Sequence, residues 1–68
     1  MRINKLIEEE RLRSGLNATV VGELIGLNRL QIYRFEKGLA EPTIVDLKNL
    51  AWVFRRELVL NGKEYSFK

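Results

Sequence analysis

A chain of 68 residues with 46% hydrophobic content supports one small core and therefore one domain. It contains no Cys and no His, which removes disulfide staples, thiolate metal sites and the commonest general base. Twelve Lys and Arg against nine Asp and Glu give a net charge of +3, a balance that suits an anionic partner. No apolar run approaches the roughly 20 residues of a membrane span, and Met1-Arg2-Ile3-Asn4 leads into an amphipathic pattern rather than a leader. The expectation is a cytoplasmic protein without membrane contact, with no cofactor and with a second subunit to supplement so small a core.

The spacing predicts a first helix over 4–14, with Ile3, Ile7 and Leu12 near its inner face and Glu8, Glu9 and Arg13 away from it. Consecutive side chains on a helix diverge, so Glu8, Glu9 and Glu10 read as a solvated face and not as a metal site. Gly15 is a helix stop, and Asn17 can cap a second helix over 18–25 with Val21 and Ile25 inward. Gly22, in mid-helix, reads as a close approach to the next helix.

Gly26 then supplies a left-handed stop and Asn28 a new cap. A third helix is predicted over 29–37, held from beneath by Ile32 and Phe35 and ended by Gly38. Residues 39–42 form a loop because Pro42 keeps Glu41 out of a helix, and Thr43 with Asp46 starts a fourth helix in capping-box fashion. That helix reaches Phe54 or Arg55. Ile44, Leu47, Leu50, Ala51 and Phe54 give it one apolar stripe, and Val45 with Trp52 a second. Beyond Arg56 the period changes to two. Leu58 and Leu60, Asn61-Gly62, then Tyr65 and Phe67 read as strand, turn and strand.

With Ile32 and Phe35 inward, the third helix presents Arg29, Leu30, Tyr33 and Arg34 outward or sideways. Arg can make paired bonds to guanine or phosphate, Leu can touch a thymine methyl, and Tyr can stack or bond to a phosphate oxygen. A capped helix start also aims free backbone N–H groups at an anion. The candidate DNA contacts are therefore Asn17, Asn28, Arg29, Leu30, Gln31, Tyr33, Arg34 and Lys37. The second stripe, Val45 and Trp52, exceeds what one small core needs, and with Leu58 and Leu60 it is the candidate dimer surface.

Gly15-Leu16-Asn17, Val21-Gly22, Gly26-Leu27-Asn28-Arg29, Ile32, Arg34-Phe35-Glu36-Lys37-Gly38 and Pro42 together resemble the phage repressor/Cro-type helix-turn-helix family, across roughly residues 3 to 54. The resemblance implies an all-α bundle of four to five helices, here followed by a short C-terminal β-hairpin. It implies a structural ion pair between Arg11 and Glu36. It also implies a helix-turn-helix domain over 1–56, with 57–68 as a dimerisation element. The chain departs from the pattern in carrying Ala18 where relatives have Gln, Gly22 where they have Ala, and no basic residue over 39–41. The tail is similar to antitoxin-type members in which a strand pairs across the dimer.

The resulting expectation is a sequence-specific transcriptional regulator, a repressor that binds a palindromic operator in double-stranded DNA as a homodimer. No acid–base machinery suggests an enzyme. The competing expectation is an antitoxin, whose fourth-helix face and hairpin would cover a protein toxin.

Overall fold

The computed structural model of the protein describes residues 2–68. Four helices, α1 (Arg2–Ser14), α2 (Ala18–Ile25), α3 (Arg29–Glu36) and α4 (Ile44–Phe54), precede a hairpin of β1 (Leu58–Asn61) and β2 (Glu64–Phe67). The chain is thus mostly helical, with one small antiparallel sheet at its end. α1 packs against α3 and β2, while α2 packs against α3 and α4.

Local chemistry explains the helix starts. The side chains of Asn17 and Asn28 accept hydrogen bonds from the backbone N–H groups of Val20 and Gln31, each at 2.9 Å. Thr43 and Asp46 close a reciprocal capping box, so α4 begins with two otherwise orphaned donors satisfied. α4 ends without a glycine. Arg55 occupies the left-handed region at φ 57°, a conformation that costs a residue bearing a Cβ about 1–2 kcal/mol.

Ile3, Ile7, Val21, Ile32, Phe35, Leu47, Leu50 and Phe54 form the shared core, so every helix contributes at least one residue. Two residues expected to line it do not. Leu12 is 63% exposed, because nine residues from Ile3 is roughly two and a half helical turns and places it on the opposite face. The inward position one turn beyond Ile7 belongs to Arg11. Ile44 is 43% exposed: it opens α4 at the edge of the apolar stripe, where the core has already ended.

The hairpin packs on the chain's own helices. Phe67 meets Phe54 edge to face at 5.9 Å, and Leu58 and Tyr65 join it against the core, half-buried. Leu58 pairs with Phe67, Leu60 with Tyr65, and Asn61 with Glu64, which leaves Gly62 and Lys63 as the turn. The turn therefore lies one residue later than Asn61-Gly62 implies. Positive φ at Gly62 (68°) and at neither neighbour is the pattern of a II′ turn, whose first central residue is the glycine. One turn glycine serves either register, so the dipeptide alone does not fix it.

An ion-pair cluster fastens the junction between α4 and the hairpin to α1. Glu10, whose side chain is 17% exposed, accepts from Arg13 at 2.8 Å and from Arg56 at 2.9 Å. Of the three acidic residues expected to be solvated, Glu8 and Glu9 are exposed and Glu10 is not. Bonding to Arg13 and then to Arg56 outweighs its partial burial and holds the Glu10 carboxyl below the usual range.

Gly22 sits against the turn that follows its own helix. A Cβ there would lie 2.4 Å from the carbonyl oxygen of Leu27 and 3.1 Å from its carbon. The Leu27 N–H closes the same turn by donating to the carbonyl of Gly22 at 2.8 Å. The close approach is thus to the turn backbone rather than to the body of α3.

Two stability measurements test these packing arguments. Gly22→Ala, although it improves helix propensity by about 1 kcal/mol, should lower stability in urea by about 1–3 kcal/mol through forced backbone movement. An unchanged or raised midpoint would mean that the turn relaxes freely. Because the Glu10 pKa is depressed on folding, its contribution is present above the ordinary glutamate range and fades as pH falls through the lowered value. Glu10→Gln should cost about 0.5–1 kcal/mol at neutral pH, and the difference from wild type should shrink as pH falls through the lowered Glu10 value. A gap between the two proteins that persists in acid would contradict this origin.

Candidate nucleic-acid interface

α2 and α3 are eight residues each and are joined by Gly26, Leu27 and Asn28. Gly26 closes α2 at φ 77°, and the chain turns directly into the Asn28 cap of α3. Ile32 and Phe35 are fully buried and fix α3 from below. Its other side is open. Arg29, Leu30, Tyr33, Arg34 and Lys37 are all exposed, with Leu30 at 55%.

Of the sequence-predicted contacts, these five share the outward side. Asn17 and Asn28 are exposed and spend their side-chain oxygens as caps. Gln31 lies on the flank of α3 and is half-buried, less available than the others. Lys37 follows the last residue of α3 as its cap rather than belonging to the helix.

The expected ion pair between α1 and α3 is present and is nearly sealed from solvent. Arg11 Nε lies 2.6 Å from Glu36 Oε2 and Nη2 lies 3.0 Å from Oε1, a two-pronged contact. The Arg11 side chain is 11% exposed and that of Glu36 2%. A third donor, Nη1, reaches the carbonyl of Leu16 at 3.3 Å. The bond to Glu36 outweighs burial and raises the Arg11 pKa above its ordinary value, so the cation is permanent. Asn4 adds a second tie by donating to the backbone carbonyl of Glu36 at 3.0 Å.

The Arg11 guanidinium also lies over the Tyr33 ring, 5.7 Å from its centroid. Between α1 and the outer side of α3 runs an open groove of about 440 Å³ lined by Arg11, Leu30, Tyr33, Arg34 and Leu39, among others. Leu39 was not singled out from the sequence, where a lone Leu in a loop carries no periodic signal. It is the most exposed large apolar side chain among the described residues, at 75%.

A separate apolar surface lies on α4. Val45, Trp52 and Leu60 are exposed, Trp52 at 69%; Ile44, Trp52 and Leu60 line one open groove, and Leu24 shares another with Trp52. Leu58, expected with them, is half-buried against the chain's own core and also lines the groove beside Trp52 and Leu60.

Neither a protein-family model, nor a curated protein, nor a solved structure matches the chain. No described helix is long and apolar enough to cross a membrane, and no group of three or more His, Cys, Asp or Glu among the described residues could hold a metal ion.

Proposed function

We propose that the chain is a sequence-specific DNA-binding regulator of the repressor/Cro helix-turn-helix kind, which acts as a homodimeric repressor on a palindromic operator. One observation carries this reading. α3 is anchored by Ile32 and Phe35 while both of its arginines, Tyr33, Leu30 and the capping Lys37 are exposed on the other side, directly after a tight turn from a second capped helix. In this reading α2 lies across the phosphate backbone and α3 enters the major groove. Arg29 and Arg34 meet guanine edges or phosphates, and Leu30 meets a thymine methyl. The N-termini capped by Asn17 and Asn28 face phosphates.

Dimerisation follows from economy of contact. An eight-residue helix is about 12 Å long, the length of about three or four base pairs. That is too little sequence for one copy to select a site. A symmetric pair joined through Val45, Trp52 and Leu60 would read two half-sites about one DNA turn, 34 Å, apart. In this reading the sign is repression, since a dimer seated on promoter DNA would compete with polymerase for it.

Selection of bound sites from random duplexes at two salt concentrations tests the reading. A palindromic motif is expected, and salt-sensitive binding without any motif would leave only phosphate attraction. With that operator in hand, Arg29→Ala and Arg34→Ala should each weaken binding by about 1–3 kcal/mol per lost base contact while helix content is unchanged. Undiminished binding by both would take α3 off the reading surface. For the dimer, sedimentation should give a two-chain species for wild type and a folded monomer for Trp52→Asp, with operator affinity reduced in step. A wild type that sediments as one chain at tens of micromolar would exclude the homodimer.

A further inference from the structure

On an exposed helix face a tyrosine ordinarily samples more than one rotamer, and fixing it at an interface costs entropy at the moment of binding. Tyr33 differs from its neighbours on α3 in having one ring face covered. The covering group is the Arg11 guanidinium, 5.7 Å from the ring centroid. Arg11 is itself immobilised, with Nε and Nη2 on the two carboxylate oxygens of Glu36 and Nη1 on the carbonyl of Leu16. At 11% exposure its side chain is set back from the surface on which Tyr33 stands, 40% exposed. The contacts therefore run outward: a buried carboxylate holds a cation, and the cation lies over a ring on the candidate reading face.

We propose that Arg11 is a positioning residue for DNA recognition, holding Tyr33 in a single orientation before DNA arrives. The inference rests on the DNA-binding reading above and adds to it a residue that does not itself touch DNA. A guanidinium suits this role because its rigid fork is held by both carboxylate oxygens of Glu36 while the cation stays over the ring. An ammonium can also attract a ring, but on a flexible stem and without the two-pronged grip that fixes its place. Preordering moves the entropy loss of Tyr33 from the binding step to folding, and its loss should weaken operator affinity by about 3- to 10-fold.

The test is a double-mutant cycle on the selected operator, using wild type, R11K, Y33L and R11K/Y33L. Duplex affinity is measured at a temperature where circular dichroism shows all four folded. R11K should weaken binding about 3- to 10-fold when Tyr33 is present and change it little in the Y33L background. Equal penalties in the two backgrounds would mean that Arg11 acts only by holding the fold, and would overturn the proposal. A second measurement needs no substitution and so survives a failure of R11K to fold. In the free wild type, the Hα–Hβ couplings of Tyr33 should report one staggered rotamer, and couplings averaged over rotamers would equally overturn it. A wild type that selects no duplex would defeat the DNA reading instead, a result separate from either of these.

Discussion

The contact between Arg11 and Glu36 is the constraint on which the placement of α3 depends. α3 is eight residues long, well below the length at which a helix holds together alone in water. It persists because Ile32 and Phe35 are buried beneath it and because its last turn is gripped from α1. Removing one member of a pair this buried strands a charge, at about 3–5 kcal/mol. For a domain of this size that approaches the whole of its stability. The pair is also directional. Two parallel N–H···O bonds fix the rotation of α3 about its own axis as well as its distance from α1.

Fixing that rotation decides which side chains face outward. Gly22 constrains α3 from its other end, where the carbonyl of Leu27 fills the space a Cβ would need. A clamp at the C-terminal turn and a tight joint at the N-terminal turn leave α3 little freedom to roll. The exposed set of Arg29, Leu30, Tyr33, Arg34 and Lys37 is therefore a consequence of two contacts made elsewhere. It does not depend on any preference of those residues for solvent, which Leu30 in particular lacks.

Where chemistry was local, the sequence was easy to read. Asn17, Asn28 and the Thr43/Asp46 box mark helix starts by bonds three residues long, and α2, α3 and α4 begin where those residues require. The outward side of α3 was legible for the same reason, since two inward apolar residues, Ile32 and Phe35, define the exposed side of a short helix. What failed was phase and distance. Leu12 was misassigned because its spacing from Ile3 is a half-integral number of turns, and the position it should have filled was held by a charged residue. The Glu10–Arg56 pair joins residues 46 apart, and no pattern in either neighbourhood announces it. The end of α4 at Phe54 was legible from the change of period after it, even though Arg55 rather than a glycine takes the left-handed cap. The hairpin turn slipped by one residue because a single glycine fits two registers.

The proposed dimer has a physical motive beyond the exposed tryptophan. The chain's greatest extent is 31 Å, and its α3 spans only part of that. One copy therefore cannot place side chains in two successive major-groove segments about 34 Å apart. The apolar patch of Val45, Trp52 and Leu60 is on α4 and the hairpin, while the basic outer side belongs to α3. α4 shares its main helical packing with α2 and α1, so a partner seated on its outer side need not cover the arginines of α3. The hairpin supports the same division of labour. Its Phe67 is locked on Phe54 and its junction is held by Arg56 on Glu10, so Leu60 is carried on a rigid element rather than on a loose tail. A partner copy meeting that element would inherit, through α4 and the core, the orientation that Arg11 and Glu36 impose on α3.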